Sequence, residues 1–288
     1  MINYTFIIPH KNSPDLLRKC IDSIPHRDDV QIIIVDDNSE SSIVDFDNFP
    51  GVGEKCTEVY FTKESKGAGY ARNVGLSHAD GKWIVFADAD DFFNPCINEA
   101  MDLYMTSKVE LVLFKGNSIK IPSGLPSYRG DLFNELLEKA LLTNDYSEVL
   151  MLSVPWRRFI KYDFISEYNI KFNEVRWSND VIFMGYVAKY VSKVEASRLE
   201  IYCTTESDNS LIKNTSLECA ICRFIEDSKN VKLLKCRYNH VDMLFYYHFI
   251  TWFNVYKKSK IKGIYYLPYA IWSAGHKFLK EIYKAKFL

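Results

Sequence analysis

The chain has 288 residues, of which 48% are hydrophobic and 25% charged, so it can bury a substantial core and is neither fibrous nor disordered. The net charge of −1 hides an asymmetry, because residues 257–288 contain eight lysines and one acid, giving +7, whereas residues 1–256 carry −8. We therefore expect the body and the tail to present two different surfaces.

Cysteine usage and the apolar stretches bear on the cellular compartment. The seven cysteines are scattered, and the pair Cys219 and Cys222 has no second pair at zinc-finger spacing, which favours reduced thiols in an intracellular protein. No export signal is visible, and the longest apolar stretches, 243–256 and 263–275, are shorter than the roughly 20 residues that span a bilayer. We expect a cytoplasmic protein.

Short apolar runs in the first half predict buried strands. They lie at residues 6–8, 31–35, 59–61, 83–86 and 111–114, with helical patterns at 15–24 and 68–78. Runs without alternation are typical of strands covered on both faces, and the strand-helix-strand spacing indicates βαβ units. We predict an α/β fold with a mostly parallel, Rossmann-like sheet and helices on both faces.

The second half carries weaker signals. Two prolines and two glycines at 119–130 predict a loop or hairpin. Helical patterns follow at 132–142, in two segments of 156–190 separated by 169–179, and from about residue 217 onward. These patterns indicate that the second half begins at 119–130 and that the chain ends in a helical C-terminal region.

An aspartate cluster follows the apolar run at 83–86. Asp88 and Asp90 would lie at the carboxyl edge of the sheet, where open α/β folds bind ligands, and carboxylates suit Mg²⁺ or Mn²⁺ carrying a diphosphate. The alternative is that both cap the following helix or turn. We expect Asp91 to be structural.

Polar residues also follow the first two strands and open the second helix. Pro9 is predicted to end the first strand, with Asn12 in the turn after it. Asp37 could accept the N3–H of a uracil or a ribose hydroxyl, or could belong to a helix cap. Arg72 follows a glycine loop and suits a diphosphate at a helix start, unless it is merely an exposed helical arginine.

Four ordered segments carry a family resemblance, at residues 7–12, 34–39, 67–76 and 88–91. Together they resemble the nucleotide-binding half of inverting family 2 glycosyltransferases of the bacterial surface-glycan type, which have the GT-A fold. The resemblance covers roughly residues 3–212. It implies a GT-A domain at 1–212, with a nucleotide-sugar half (1–115) and an acceptor half (116–212), followed by the helical region 213–288.

The resemblance also implies roles for individual residues. Pro9, Asn12, Asp37 and Arg72 would bind the donor, with Asp37 recognising the base. Asp90 would bind Mn²⁺ or Mg²⁺ directly, and Asp88 would touch the ribose or the water shell of the metal. The ion would act as a Lewis acid on the departing diphosphate.

Two segments, 154–160 and 177–183, resemble the acceptor region of these enzymes. This region includes Trp156, Arg157, Trp177 and Asn179. In the family a helix there usually begins with an acidic pair whose second member is the catalytic base; Asp180 matches that member, whereas Asn179 replaces the usual Glu. The alternative for Asp180 is an acid stabilised by the helix dipole. Residues 203–211 resemble a loop returning toward the diphosphate, without its usual basic residue.

We therefore predict a metal-dependent inverting glycosyltransferase that moves a sugar from a nucleotide diphosphate, expected to be UDP, to a hydroxyl of a glycan or lipid-linked glycan in surface polysaccharide synthesis. A non-catalytic sugar-nucleotide or glycan-binding scaffold is the main alternative, with Asn179 as its hint. A sugar-1-phosphate nucleotidyltransferase should have a glycine-rich loop after the first strand, and an aspartate-dependent phosphatase should have its acidic motif there. This chain has neither feature at that place, which disfavours both enzyme classes.

The tail, Lys257–Leu288, mixes lysines with aromatic residues. This composition suits an anionic membrane surface, and so predicts a protein that is peripheral on the inner face of the cell membrane. The alternative is a packed helical appendage with a solvated lysine face. We expect no nucleic-acid binding, because no recognised module accompanies the lysines.

Overall fold

The computed structural model describes residues 1–207 and 216–285. The strands within these ranges are β1 (Tyr4–His10), β2 (Val30–Asp36), β3 (Thr57–Phe61), β4 (Trp83–Phe86), β5 (Phe92–Phe93), β6 (Leu111–Lys120), β7 (Arg158–Lys161) and β8 (Val194–Glu206). The helices are α1 (Pro14–Asp22), α2 (Ala68–Ser77), α3 (Ile97–Tyr104), α4 (Asp131–Thr143), α5 (Ser147–Leu150), α6 (Tyr162–Glu167), α7 (Val181–Tyr190), α8 (Leu217–Leu234), α9 (Asp242–Lys258), α10 (Lys260–Ala274) and α11 (His276–Lys284).

The strands form one sheet in the order β3-β2-β1-β4-β7-β6-β8-β5. Strands β5 and β7 run against the direction that the other six share, so the predicted, mostly parallel α/β sheet is confirmed. The register pairs Ile7 with Phe86 and His10 with Asp36. The loops that follow β1, β2 and β4 therefore lie at the same edge of the sheet.

Strands β1, β2 and β4 are buried along their whole length, as predicted. Strand β3 is only partly buried, because it is an edge strand that pairs with β2 alone. The prediction that Pro9 ends the first strand was wrong, because β1 continues to His10. The Ile7 carbonyl oxygen accepts the Ala87 N–H, so Ile7 directs its backbone groups toward β4, and Pro9, two residues later, does the same. Because β4 ends at Phe86, a proline at position 9 removes no hydrogen bond between the strands.

The second half differs more from the prediction. Strand β6 extends to Lys120, and the hairpin that was one of the two alternatives for 119–130 is confirmed, because Ile119 pairs with Pro126 and the Ser127 N–H donates to the Ser118 carbonyl oxygen at 2.9 Å. Strand β7 occupies the start of the helical pattern predicted from residue 156, and β8 was not predicted at all. The partly exposed half of β8, VEASRLE, alternates weakly, and its strand conformation comes from pairing with β6.

The C-terminal helices α8 to α11 confirm the predicted helical region. Helix α8 packs on α7, and α9 packs on α8, α10 and α11, so these helices are joined to the sheet domain through α7. Trp252 and Phe278 are among their buried residues. The predicted boundary at residue 212 lies outside the described residues. None of the described helices combines the length and apolarity needed to cross a bilayer.

Candidate active site at the carboxyl edge of the sheet

Asp36 anchors the loops that follow β1 and β2. Its carboxylate accepts hydrogen bonds from His10 Nδ1 at 2.7 Å and from the Ser39 N–H at 2.9 Å. Burial raises the pKa of Asp36, but the bonds from His10 and Ser39 outweigh burial and leave the pKa below its usual value. Asp36 is therefore held as an anion inside the fold, a role that sequence reasoning did not assign to it or to His10.

Asn12 ties the two loops together. It has a positive φ of 55°, donates its N–H to Ser39 Oγ at 2.8 Å, and accepts the Glu40 N–H through its side-chain oxygen at 2.8 Å. Asparagine is among the residues that adopt this left-handed conformation most readily. Asn12 is thus placed beside the predicted donor site as a turn residue.

Asp37 lies at the same edge and is almost completely buried. One carboxylate oxygen, Oδ2, accepts the Gly67 N–H at 2.8 Å and lies 3.9 Å from Lys11 Nζ. The other oxygen, Oδ1, is buried without a hydrogen-bond partner among the described residues. A buried acceptor without a partner is costly, so Oδ1 is suited to receive a donor group from a ligand.

Arg72 connects three elements of the site. Its guanidinium donates to Asp88 Oδ1 at 2.6 Å and to Asn179 Oδ1 at 2.9 Å, and it lies 5.3 Å from the centre of the Phe172 ring. The side chain is 6% exposed, so the alternative of an exposed helical arginine was wrong. Arg72 holds the carboxylate after β4 and the residues before α7 in one place.

Helix α2 approaches the segment before α7 closely enough to require glycine at position 69. A Cβ atom on Gly69 would lie 2.3 Å from the Asn173 carbonyl oxygen and 2.8 Å from the Asn179 Cβ. This close approach brings Arg72 within reach of Asn179 across a separation of 107 residues.

The aspartate cluster after β4 is compact, with one carboxylate oxygen each of Asp88, Asp90 and Asp91 lying within 4.8 Å of one another. Asp91 is buried and accepts hydrogen bonds from Tyr202 OH at 2.9 Å and the Thr205 N–H at 2.6 Å. These contacts give Asp91 a structural role, as expected. Asp88 and Asp90 do not cap a helix, because the next helix, α3, begins only at Ile97. The alternative of a turn stays open, because the Asp91 N–H donates to the Asp88 carbonyl oxygen at 3.0 Å.

The remaining two carboxylates fit a divalent cation. Desolvation and the neighbouring Asp88 charge raise the pKa of Asp90, so the two groups repel each other as anions. Hard oxygen ligands at this spacing are those that Mg²⁺ and Mn²⁺ prefer, and a cation would relieve the repulsion. Asp88 is the carboxylate already oriented by the protein, because it accepts a hydrogen bond from Arg72.

Tyr202 on β8 is a site residue that sequence reasoning missed. Its hydroxyl accepts the Asp88 N–H at 2.9 Å and donates to Asp91. Tyr202 on β8 thereby holds the backbone of the aspartate cluster in place. Tyr202 could not be assigned to the site from the sequence, because the strand that carries it, β8, was not predicted.

Asp180 immediately precedes α7, and its side chain does not cap that helix. Burial raises the pKa of Asp180 to about 6; the Arg72 charge lowers it and the Asp88 charge raises it. The carboxylate therefore lies within electrostatic reach of the Arg72–Asp88 pair. A carboxyl group with this pKa is mostly ionised at pH 7 and is more basic than an ordinary aspartate.

The other predicted acceptor residues are mostly interior. Trp156 is buried and stacks on Tyr202, with ring centres 6.0 Å apart. Arg157 is fully buried and donates to the carbonyl oxygens of Asn117 and Gly130, and burial lowers its pKa to about 10. Such burial is not expected of a residue that contacts an acceptor.

The two acceptor residues nearer α7 are placed differently. Asn179 is bonded to Arg72 and so belongs to the site. Trp177 is buried, and its Nε1 has no hydrogen-bond partner among the described residues.

Comparison with known proteins agrees with this geometry. Residues 5–161, more than half of the chain, match the model of the family "Glycosyl transferase family 2". The chain belongs to this family. The matched segment of family 2 contains Asp37, Arg72 and the aspartate cluster, whereas Asp180 lies beyond its end.

The curated relatives of this family 2 chain match it over limited segments. A poly(ribitol-phosphate) beta-glucosyltransferase of Bacillus spizizenii is 36% identical over 93 residues, which cover 31% of this chain and 15% of that protein. A cholesterol galactosyltransferase of Borreliella burgdorferi is 24% identical over 66% of this chain and 55% of its own length. The chain therefore matches only part of the length of these relatives.

A solved structure covers nearly the whole chain. Residues 1–349 of S. aureus TarS superpose with a TM-score of 0.65 and 16% identity, covering 98% of this chain and 81% of that one. The same TarS segment in complex with UDP-GlcNAc has a TM-score of 0.63 and 15% identity, covering 99% and 92%. The likeness shows that the two share the GT-A fold.

Proposed function

We propose that this family 2 member is an inverting glycosyltransferase that transfers a sugar from a UDP-sugar to a hydroxyl of a glycan or lipid-linked glycan in surface polysaccharide synthesis. The observation that carries the proposal is the arrangement around Arg72, which bonds to Asp88 and Asn179 beside Asp180. A diphosphate-binding cation and a proton acceptor would both serve such a transfer, and the contacts of Arg72 support candidates for both in this region.

The donor side of the proposal rests on Asp37 and Arg72. The unpartnered Asp37 Oδ1 would accept the N3–H of uracil, and the crystallised complex of TarS with UDP-GlcNAc supports a UDP-sugar as the donor class. Asp88 and Asp90 would hold Mn²⁺ or Mg²⁺, which when bound neutralises charge on the diphosphate. Arg72, already directed at Asp88, would orient that carboxylate and face the same charge.

On the acceptor side, Asp180 would take the proton of the attacking hydroxyl. The new bond forms between the acceptor oxygen and the anomeric carbon, the bond to the diphosphate breaks, and the electron pair leaves with the diphosphate. A single in-line displacement of this kind inverts the configuration, so only one carboxylate is needed as a base. The poly(ribitol-phosphate) relative supports a surface-glycan acceptor class.

A donor panel tests the activity. The purified chain would be incubated with UDP- and GDP-sugars plus Mn²⁺, with and without mixed glycan acceptors, and release of the free nucleoside diphosphate would be measured. We expect release from a UDP-sugar that increases with acceptor. Binding of UDP without release from any donor would favour the non-catalytic scaffold, and absence of UDP binding would refute the proposal.

We also propose that α10 and α11 contact an anionic membrane surface. On the outer face of α10, Ile261 is 82% and Tyr265 71% exposed, and Ile264 and Trp272 on the same face are exposed as well. Exposed lysines at positions 257, 258, 260 and 262 surround the start of this face. Apolar side chains within a basic surface are typical of interfacial helices, and each lysine can contribute about 1 kcal/mol near anionic lipid.

Vesicle co-sedimentation tests the membrane contact without disturbing the packed side of α10. The double variant Ile261→Ser/Tyr265→Ser should lose binding to vesicles that contain anionic lipid. Leu142→Ser, which changes a 79% exposed leucine on α4, serves as the control and should bind like the wild type. Raised salt should weaken wild-type binding. A wild-type chain that stays in the supernatant at low salt, or a double variant that still pellets, would contradict the proposal.

A further inference from the structure

A cleft of about 340 Å³ lies between the segment that leads into α7 and the helices α8 and α9. Apolar side chains provide most of its lining surface. The polar residues that line it come from both parts and include Ser153, Ser178, Asp227, Asn230, Tyr247 and Thr251. None of these residues belongs to the donor motifs. All except Ser153 and Ser178 come from the C-terminal helices, beyond the segment that matches the family model.

The cleft adjoins Asp180. Ser178 and Val181, which flank Asp180 closely in the chain, both line it. The charges of Arg72 and Asp88 act on Asp180 from the proposed donor site. Asp180 therefore lies in the chain between two residues that line the cleft, and within electrostatic reach of the proposed donor site.

The polar side chains of the cleft are held in place. Asp227 Oδ2 accepts hydrogen bonds from His248 Nδ1 at 2.8 Å and from Thr251 Oγ1 at 3.0 Å. His248 is fully buried, and its Nε2 lies 2.8 Å from Ser273 Oγ. This chain of hydrogen bonds fixes the orientation of a carboxylate on the cleft wall.

Asn230 closes the wall of the cleft next to α7. It is only 5% exposed, and its Oδ1 has no hydrogen-bond partner among the described residues. A Cβ on Gly185 would lie 2.1 Å from this oxygen, so α7 and α8 pack tightly at this wall. The oxygen therefore lies against α7 without exposed surface, and it is not available to a ligand.

We propose that this cleft binds the acceptor, as a subsite for the sugar or polyol unit that carries the attacking hydroxyl. The inference rests on the proposed function and adds to it the C-terminal helices as part of the acceptor site. Hydroxyl groups would donate to Asp227, and the Tyr247 ring would cover the less polar face of the unit. The volume is at the small end of ligand sites, about 300–1,000 Å³, so it suits one unit rather than a long glycan.

The test separates acceptor binding from donor chemistry. Octyl glycosides and ribitol phosphate oligomers would be screened as acceptors with the best UDP-sugar, and the variants Tyr247→Ala and Asp227→Asn compared with the wild type. Tyr246→Ala is the matched control, because Tyr246 is the exposed neighbour on α9 that does not line the cleft. Acceptor KM, donor hydrolysis without acceptor, and the melting temperature would be measured for each.

We expect Tyr247→Ala and Asp227→Asn each to raise the acceptor KM by about tenfold, the usual scale for losing one well-placed contact. Donor hydrolysis should stay within about twofold, and Tyr246→Ala should resemble the wild type. If acceptor KM is unchanged in both variants, or if donor hydrolysis falls as much as transfer, the cleft is not the acceptor subsite. A wild type that neither binds UDP nor hydrolyses any donor would instead overturn the proposed function, and this inference with it.

Discussion

Replacement of Asp180 by asparagine should separate activity from stability. Asn keeps the size of the side chain and removes the proton acceptor, so kcat should fall by on the order of 10²-fold or more while UDP affinity changes little. The free energy of unfolding should instead increase at neutral pH. Burial raises the pKa of Asp180 from its ordinary 3.8 to about 6, which corresponds to a cost of about 3 kcal/mol for keeping the group ionised at pH 7.

The sign of the pH dependence follows from that shift. The folded protein holds the Asp180 proton more tightly than the unfolded chain, so this group favours folding at low pH, and the advantage is lost as pH rises from about 4 to about 6. Asp180→Asn should therefore be more stable than the wild type above pH 6, by up to about 3 kcal/mol, and equal to it near pH 3. Wild-type kcat should decline below about pH 6 as the base becomes protonated.

The assay combines UDP release, calorimetric titration with UDP, and urea unfolding at pH 4 and 7.5. Asp163→Asn is the matched control, because Asp163 is an exposed acid in the first turn of α6 and undergoes the same chemical change. The control should leave kcat and stability nearly unchanged. Unaltered kcat in Asp180→Asn would refute the assignment of the base and direct attention to Glu174, which lies 3.4 Å from Lys66. Unaltered stability at pH 7.5 would refute the reasoning from burial.

Three further predictions concern the donor side. Asp90→Asn should abolish turnover and keep the fold, as measured by UDP release and circular dichroism; wild-type activity of this variant in excess EDTA would contradict a metal role. Gly69→Ala should lower the free energy of unfolding by about 1–3 kcal/mol, since its Cβ would clash with the Asn173 carbonyl, and an unchanged urea midpoint would refute this contact. Arg72→Lys should weaken donor turnover, because an ammonium cannot bridge Asp88 and Asn179 as a guanidinium does; unchanged kcat/KM for the donor would show that the bridge is dispensable.

The sequence by itself determined the first half of the fold and where its site lies. Continuous apolar runs such as Trp83–Phe86 are local signals, because a strand covered on both faces needs apolar residues at every position. Polar residues directly after these runs must lie at the sheet edge, since parallel strands end on the same side. Asp37 and Asp88 could therefore be placed near each other before any contact was known, whereas Arg72, in helix α2, was added to them by the family resemblance.

Only the tertiary structure decided which of these residues touch and which are buried. Arg72 meets Asn179 across 107 residues, and Tyr202 meets Asp91 across 111, and no short-range pattern encodes either pair. The same holds for Arg157, which the resemblance assigned to the acceptor region although its guanidinium donates to backbone carbonyl oxygens of distant segments in the interior. A strand such as β8 and the cleft between the segment that leads into α7 and the helices α8 and α9 exist because distant segments pack together. Their residues therefore carry no signal until the chain has folded around them.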